Sequence, residues 1–107
     1  MKTSVLVIGL GRFGVSAARE LMALGHEVLV VDVNEGIVNE IAPTVTHAVV
    51  LDAADESALR AIGAADFDHA IVAIGAVEAS IFATMALKHL GVGNVLAKAG
   101  SELHGAI

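Results

Sequence analysis

The 107-residue sequence has no cysteine and few aromatic residues, and these absences exclude several kinds of protein. Without cysteine there is no disulfide bond and no thiolate metal site, which fits a cytoplasmic location. Aromatic residues make up 3% of the chain, too few for a platform on which nucleic-acid bases stack. The formal net charge of −6 argues further against non-specific nucleic-acid binding.

Long hydrophobic runs are also missing, although hydrophobic residues make up 56% of the sequence. No run approaches the roughly 18–20 apolar residues that span a bilayer. The opening run, MKTSVLVIGLG, ends in a glycine motif and has no small-residue cleavage pattern. We therefore interpret it as a first buried strand and not as a signal peptide.

Short apolar, β-branched runs alternate with helical patterns along the chain. Such runs predict strands buried on both faces, and hence a parallel sheet between two layers of helices. We predict a doubly wound α/β fold with strand order 3-2-1-4-5 and a ligand crevice where strands one and four diverge. The predicted strands are 4–9, 27–32, 46–52, 68–75 and 94–99, and the predicted helices are 12–24, 35–43, 56–63, 78–90 and one that begins at Ser101.

The stretch VIGLGRFG follows the first strand and opens the first helix. Gly9, Gly11 and Gly14 have the GxGxxG spacing of a dinucleotide-binding loop. The first glycine permits a tight turn, the second lets the backbone approach a pyrophosphate, and the third lets the helix pack close to the sheet. Asp32 ends strand two, where an acid can accept hydrogen bonds from ribose hydroxyls. These features together predict a Rossmann-type nucleotide-binding fold.

The residues after Asp32 bear on the choice of nucleotide. No arginine or lysine follows it in DVNEG, where Val33 and Asn34 complete the predicted ribose side of the site. A 2′-phosphate would meet only negative charge there, so ligands of the NADPH type are disfavoured.

Arg12 places a cation in the first turn of the first helix. This arrangement opposes the helix dipole at an expected cost of roughly 0.3–1 kcal/mol. A phosphate above the loop would reverse that sign, and arginine can bind phosphate with two parallel hydrogen bonds. We therefore predict that Arg12 contacts a ligand phosphate, and the alternative is an outward side chain paired with a surface acid such as Glu35.

Three other strand ends contribute candidates, each with an alternative. We expect Asp52, followed by Ala53, to lie near the adenine or to close the rim of the pocket, and the alternative is that it only caps the next helix. Gly75, after Ile74, admits the ligand, or it forms a plain turn. Lys98 reaches a ligand phosphate or a carboxylate, or it extends into solvent at the strand end.

Signals of catalysis are missing. Nothing resembles a nucleophile elbow or a paired-carboxylate site. A nicotinamide dehydrogenase would also need a substrate domain with a proton donor, for which 107 residues leave no room. We therefore predict a protein that is not an enzyme and has no metal site. The histidines do not pair at metal-ligand spacing, and we interpret all five as structural or exposed: His26, His47, His69, His89 and His104.

The helix VEASIFATMALKHL, after strand four, has little polar surface. Ser80, Thr84 and Lys88 lie four apart and form only a narrow stripe, whereas a surface helix leaves about half of its circumference polar. We predict that this helix pairs with a second copy of the domain about a two-fold axis. The alternative is that C-terminal residues of the same chain cover it.

With these residues in place, the sequence resembles the nucleotide-binding N-terminal lobe of the RCK/KTN (TrkA-N) domains. These domains are cytoplasmic regulators of potassium channels and of Ktr- and Trk-type potassium transporters. Arg12 and Phe13 within the glycine loop make the likeness more specific than GxGxxG alone, and it is strongest to the Ktr-type regulatory subunits. It covers essentially the whole chain and is carried by VIGLGRFG, ELMALGHEVLVVDVNE, VTHAVVLDAADESALRAIGAADFDHAIVAIG, EASIFATMALKHLG and VLAKA.

The resemblance implies a sensor that binds NAD(H), ATP or ADP and gates potassium transport through a membrane partner. It implies that Arg12 reads a terminal phosphate and that Asp32 holds the ribose. It also implies pairing through the helix after strand four and, in full-length members, an octameric ring at the inner face of the cell membrane.

The sequence departs from the family in two places. The turn GAVEAS, from Gly75 to Ser80, is one residue shorter than usual. The chain also stops before the family's last strand, its crossing helix and its C-terminal lobe. We therefore expect residues 1–107 to be the N-terminal lobe of a longer protein. Two alternatives stay open: an NAD-binding domain of an oxidoreductase, and a dimerisation module with a vestigial site.

Overall fold

The computed structural model of the protein describes residues 3–99 and 102–103. Strands and helices alternate along these residues as far as the fifth strand, and short 3-10 turns follow the second and third helices. The strands are β1 Ser4–Ile8, β2 Glu27–Asp32, β3 His47–Val50, β4 His69–Val72, β5 Val95–Ala99 and β6 Glu102–Leu103. The helices are α1 Arg12–Ala23, α2 Glu35–Ile41, α3 Glu56–Ala61 and α4 Val77–His89.

The strands form one sheet in the order β3-β2-β1-β4-β5-β6. The first five of these are parallel to one another, as predicted, and the order 3-2-1-4-5 is confirmed. Because all five parallel strands point the same way, their carboxyl ends share one edge of the sheet. The turns that lead into the helices also lie at that edge.

The sheet separates two hydrophobic cores. Side chains of the central strand β1 alternate between them, because successive residues of a strand point to opposite faces. Val5 and Val7 pack with α1 and α2, whereas Leu6 and Ile8 pack with α3 and α4. Each of these four side chains is almost fully buried. Burial on both faces explains why the strands read as continuous apolar runs.

Two short helices begin as the sequence predicts. The side chain of Asn34 accepts a hydrogen bond from the Ile37 N–H at 3.1 Å, and that of Asp55 accepts one from the Ala58 N–H at 3.2 Å. Such caps satisfy amides that the helix cannot pair and are worth about 1 kcal/mol each. Pro43 lies in the 3-10 turn directly after α2, which confirms where that helix was expected to end.

The prediction of a helix after β5 is wrong at Glu102 and Leu103. These residues pair antiparallel with Ala99 and Lys98 of β5. A strand at the edge of a sheet has open backbone hydrogen-bonding groups, and β6 pairs with some of them. Ser101, the expected helix cap, lies outside the described residues.

Two residues of the polar stripe of α4, Ser80 and Thr84, face the protein interior, which the sequence pattern did not indicate, whereas Lys88 is exposed. Ser80 is 3% exposed and Thr84 is 8% exposed. The Thr84 hydroxyl donates to the Ser80 carbonyl at 2.7 Å, so it can be buried without losing its hydrogen bond. Ile81, Phe82 and Met85 consequently lie on the outer face of α4, 48%, 52% and 61% exposed. Across the described residues, none of the helices has the length and hydrophobicity to cross a membrane.

Candidate nucleotide-binding site

A cleft of about 280 Å³ lies at the carboxyl edge of the sheet, above the ends of β1 to β4. This is the crevice in which open α/β sheets bind ligands. Eight of the residues selected from the sequence line it: Gly9, Gly11, Asp32, Val33, Asp52, Ala53, Ile74 and Gly75.

Two close approaches determine the shape of the glycine loop. Gly9 has a φ angle of +97°, and a Cβ atom there would lie 2.6 Å from the Ala73 carbonyl oxygen. A Cβ atom on Gly14 would overlap the carbonyl oxygen of Gly9. Both positions therefore require glycine. The first turn of α1 is held directly against the ends of β1 and β4 as a result.

Gly11, in contrast, faces open space. It has an ordinary φ of −73°, and a Cβ atom there would meet no protein atom within 4 Å. As the N-cap of α1 it offers no side chain to the amides of the first turn. The N–H groups and the positive end of the helix dipole suit this part of the cleft to a phosphate.

Asp32 connects the end of β2 to the glycine loop. Its Oδ2 atom accepts a hydrogen bond from the Leu10 N–H at 2.7 Å, and its Oδ1 atom accepts one from the Asn34 N–H at 2.9 Å. Each carboxylate oxygen has two lone pairs, so both oxygens can accept a further hydrogen bond. Asp32 can therefore hold the loop and a ribose at the same time.

Asp52 does not cap α3, so the alternative proposed for it from the sequence is wrong. Its Oδ1 atom accepts a hydrogen bond from the Ala54 N–H at 2.9 Å and closes the turn after β3. Asp55 is the cap of α3. Asp52 and Ala53 instead lie on the wall of the cleft, next to the end of β2.

Ile74 and Gly75 form the wall that follows β4. Gly75 is not among the glycines with a positive φ, and a Cβ atom there would meet nothing within 4 Å. Neither backbone strain nor protein packing requires glycine at this position. The open space beside Gly75 is what the ligand interpretation needs.

Arg12 does not line the cleft, although it directly follows Gly11, which does. It is the first residue of α1 and its side chain is exposed. Within the described part of the chain it forms no ion pair, with Glu35 or with any other acid. The alternative of a pair with Glu35 is therefore not observed.

The Lys98 side chain approaches the first turn of α1. Its Nζ atom lies 5.4 Å from the centroid of the Phe13 ring, within the range of about 6 Å for a cation–π interaction. Both side chains are half-buried. Five residues predicted from the sequence do not line the cleft: Arg12, Phe13, Gly14, Asn34 and Lys98. Of these, Gly14 packs α1 against the sheet and Asn34 caps α2.

Sequence reasoning missed part of the lining. The most informative of these residues is Leu10, because its backbone N–H holds Asp32 and nothing in its side chain signals that role. The signal that could have indicated the missed residues was their position in the sequence, next to residues that were predicted to line the site. The missed residues are Ile8, Leu10, Val31, Leu51, Ala73 and Ala79.

A larger cavity, of about 510 Å³, opens at the amino edge of the sheet. Thr3, His26, His69 and Asn94 are among the residues that border it, and none of the selected site residues does. Ligands of open α/β sheets bind at the carboxyl ends of strands, beside the starts of helices. We therefore take the smaller cleft as the candidate site.

The described histidines have structural partners or lie at the surface. The Thr3 N–H donates to Nδ1 of His26 at 3.2 Å, and Nδ1 of His89 lies 2.8 Å from Oε1 of Glu56. No three histidine, aspartate or glutamate side chains of the described residues are grouped as metal ligands would be. His104 lies outside those residues.

The fold and the cleft define a Rossmann-type domain of the nucleotide-binding class. Residues 5–107 match the model of the TrkA-N domain. The chain belongs to the TrkA-N domain family, which confirms the resemblance seen in the sequence.

Relatives of known name support the same assignment. Ktr system potassium uptake protein C of Bacillus subtilis is 48% identical over 105 residues, which are 97% of this chain and 48% of that protein. The chain thus spans about half the length of the curated relatives that it matches. Family membership and these relatives agree with the prediction that the domain is regulatory and not an enzyme.

Two solved structures share the fold and more than a quarter of the sequence. The NAD(P)-binding domain of an exopolyphosphatase-related protein from Archaeoglobus fulgidus has a TM-score of 0.76 and 28% identity, covering 91% of this chain and 71% of that one. The Kef CTD of Shewanella denitrificans, in an AMP-bound form, has a TM-score of 0.73 and 28% identity, covering 88% of this chain and 57% of that one.

Proposed function

We propose that this domain binds an adenine nucleotide, NAD(H), ATP or ADP, and thereby regulates potassium transport through a membrane partner without catalysing a reaction. The observation that carries the proposal is the glycine loop, which is open at Gly11 and tied by Leu10 to the carboxylate of Asp32. The potassium uptake relatives support the regulatory role.

The charges around the cleft suggest how a nucleotide would lie in it. Asp32 and Asp52 are at the end formed by β2 and β3, where they suit the hydroxyls of a ribose and the edge of an adenine. The first turn of α1, which begins at Arg12, is at the other end, where its amides and an arginine suit phosphates. Val33, Ala53 and Ile74 would supply apolar contacts between the two ends.

Regulation requires that the nucleotide favour one arrangement of the protein over another. A ligand that binds two states equally shifts neither, however tightly it binds. ATP and ADP differ at the terminal phosphate, and Arg12 is the first residue of the helix that begins at that end of the cleft. We therefore propose that Arg12 contacts the terminal phosphate, so that the protein binds ATP and ADP with different affinities.

The outer face of α4 is the surface through which we propose that two copies pair. Val77, Ile81, Phe82 and Met85, here called the α4 patch, are all about half exposed. Exposed apolar groups that form one patch are typical of an interaction surface. In the full-length protein such pairs would assemble into a ring, an octamer by family likeness, at the cytoplasmic face of the membrane. Residues 1–107 would be the N-terminal nucleotide-binding lobe of each subunit.

Calorimetric titration with NADH, ATP and ADP tests the proposed binding. We expect wild-type protein to bind at least one of them, and no binding by any would contradict the proposed function. In Arg12→Ala we expect the preference for ATP over ADP to disappear while affinity for adenosine is kept. Arg19→Ala, on the exposed side of the same helix, is the matched control. An equal loss of affinity for ATP and ADP in Arg12→Ala would reject the role of Arg12 in reading the terminal phosphate, but it would not contradict nucleotide binding.

Sedimentation velocity tests the proposed pairing. Met85→Asp places a charge in the α4 patch, and we expect it to shift dimers to monomers because burying an unpaired charge is strongly unfavourable. Leu24→Asp is the control, since Leu24 is 70% exposed and lies at the end of α1, outside the patch. A Met85→Asp protein that remains dimeric would remove α4 from the interface.

A further inference from the structure

Two opposite charges border the α4 patch, one near each end of the helix. Glu78 lies in the first turn of α4 and Lys88 in the last, and both side chains are exposed. Ile81, Phe82 and Met85 lie between them in the sequence. At about 100° of rotation per residue, Glu78 and Lys88 fall on the same outward side of the helix as these three residues. The outer face of α4 is therefore apolar in its middle and oppositely charged at its two ends.

Neither charge has a partner of opposite sign on its own helix. None of the residues three or four positions from Glu78 or Lys88, which are the neighbours on a helix surface, carries a charge. Within the described part of the chain, neither side chain forms an ion pair. The helix dipole favours an acid in the first turn and a base in the last, but it acts on every side of the helix. It therefore does not require these charges to border the patch.

A second copy packed antiparallel would bring the opposite charges together. A two-fold axis places positions that are equally far from its centre opposite each other. The midpoint of Glu78 and Lys88 is position 83, between Phe82 and Met85 of the patch. Packed helix axes are about 8–10 Å apart, a gap that a glutamate and a lysine side chain can span together. In a parallel pair, like charges would face each other at both ends.

The overall charge of the chain gives these positions weight. Each copy has a formal net charge of −6, so two copies repel each other at long range. Lys88, one of six lysine and arginine residues, lowers this repulsion where a partner presents an acid at the matching position. Complementary charges at an interface select the partner and its orientation more than they add affinity.

We propose that two copies of α4 pack antiparallel, with Glu78 of each copy paired with Lys88 of the partner subunit, and that these charges make the α4 patch select a second copy of this chain. This inference rests on the pairing proposed above and adds its orientation and its specificity-determining residues. The apolar residues supply the contact area, and the two charge pairs decide which chain and which direction fit.

Charge reversal tests the proposal, with self-association of the full chain measured by sedimentation equilibrium. Glu78→Lys leaves a lysine at each end of the patch, and Lys88→Glu leaves an acid at each end. We expect each variant alone to dimerise at least about tenfold more weakly than wild type, because like charges then meet twice in every pair. An equimolar mixture of the two variants should dimerise again. The double variant Glu78→Lys/Lys88→Glu should also dimerise, since it too restores opposite charges.

Glu20→Lys and Arg19→Glu are the matched controls. They make the same changes of net charge at exposed positions of α1, which covers the face of the sheet opposite to that covered by α4. We expect them to associate as wild type does, alone or mixed. Thermal melting of each variant shows whether it is folded, and recovery of dimers in the mixture shows it independently.

Three results would overturn the inference. They are wild-type dimerisation in Glu78→Lys or Lys88→Glu, a mixture that associates no better than its components, and a double variant that associates no better than the single ones. If Met85→Asp is monomeric at the same time, pairing through α4 stands and its proposed orientation is wrong. A wild-type chain that is monomeric would contradict the proposed pairing as well, while leaving the proposed nucleotide binding untouched.

Discussion

The two edges of the sheet are built from different groups. At the carboxyl ends of β1 and β4, backbone atoms dominate: the glycine loop is shaped by Gly9 and Gly14, and both α1 and α4 begin without a side-chain cap. At the amino edge, side chains join the starts of neighbouring strands. Asp68 accepts two hydrogen bonds from Ser4, and Thr46 accepts one from the Val28 N–H.

Because of this difference, we expect one edge of the sheet to serve ligand binding and the other to serve the stability of the fold. Where side chains already occupy the donors and acceptors, as at the amino edge, little capacity is left for a ligand. Where helices begin on glycine or alanine, as α1 and α4 do at the carboxyl edge, the amides of the first turn can bind an anion. Substitutions at the carboxyl edge should therefore change nucleotide affinity, and those at the amino edge should change only stability. Gly14 is the exception at the carboxyl edge. It packs α1 against the end of β1, so its substitution should change both stability and nucleotide affinity.

The largest effect is expected from Gly14→Ala. The added Cβ atom would overlap the Gly9 carbonyl oxygen, so α1 must move away from the sheet. We expect the free energy of unfolding to fall by about 3 kcal/mol or more, measured by urea denaturation, and nucleotide binding to be lost.

Gly11→Ala is the matched variant three residues earlier. Its Cβ atom would meet no protein atom within 4 Å, so we expect the stability to change by less than about 0.5 kcal/mol. Nucleotide affinity should fall at least tenfold, because the methyl group occupies the approach of the phosphate. Equal stability losses in the two variants would show that the loop is not divided into a packed and an open part.

The next largest effect on stability is expected from Asp32→Asn, and it can be measured in the ligand-free protein. An amide can present only one oxygen, so either the Leu10 N–H or the Asn34 N–H loses its acceptor. We expect a loss of about 1–3 kcal/mol in the unfolding free energy of the free protein and weaker binding of adenosine.

The control for Asp32→Asn is Asp52→Asn on the neighbouring strand end. Asp52 accepts one hydrogen bond, from the Ala54 N–H, and an amide oxygen can keep it. We therefore expect almost no change in stability. If Asp32→Asn were as stable as wild type, the carboxylate would not hold the loop.

How much of the site could be predicted from the sequence depends on how local the cause is. The positions of Gly9 and Gly14 could be predicted, because the requirement for glycine arises within one turn between a strand and a helix. The caps Asn34 and Asp55 could be predicted for the same reason. The hydrogen bond from Leu10 to Asp32 could not, because a backbone N–H is the same in every residue except proline.

Features that depend on distant neighbours were predicted less well. The inward orientation of Ser80 and Thr84 depends on a hydrogen bond within α4 that their polar character does not reveal. The strand at Glu102 and Leu103 depends on the open edge of β5 and not on the helical pattern of the local sequence. The contact between Lys98 and Phe13 joins residues on β5 and α1, so no spacing in the sequence reports it.

Thr46→Val tests the amino edge and should have a smaller effect. The Thr46 hydroxyl accepts a hydrogen bond from the Val28 N–H at 2.9 Å, and valine has the same shape without the acceptor. We expect a loss of about 1 kcal/mol in the unfolding free energy, with nucleotide affinity unchanged. Thr46→Ser keeps the hydroxyl and should retain most of the unfolding free energy that Thr46→Val loses. A change in affinity for ATP or ADP would mean that the two edges are coupled.

The smallest effect is expected from Asp68→Asn, and it depends on pH. The backbone N–H and the hydroxyl of Ser4 donate to Oδ2 of Asp68 at 2.9 and 3.2 Å. These hydrogen bonds, the backbone one first, lower the pKa of Asp68 below its usual value, and the charge of His69 adds to the effect. Because the pKa is lower in the folded protein than in the unfolded chain, the contribution of Asp68 is complete above the unfolded value. It is lost as the pH falls through the lowered one.

Urea denaturation of wild type and Asp68→Asn from about pH 6 to about pH 2 measures this contribution. We expect the difference in unfolding free energy to be constant at the upper end and to shrink at the acidic end. Asp66→Asn is the control, since no hydrogen bond to the Asp66 carboxylate is formed within the described part of the chain. A difference that persisted unchanged to the lowest pH would mean that Asp68 joins β1 and β4 through its shape and not through its charge.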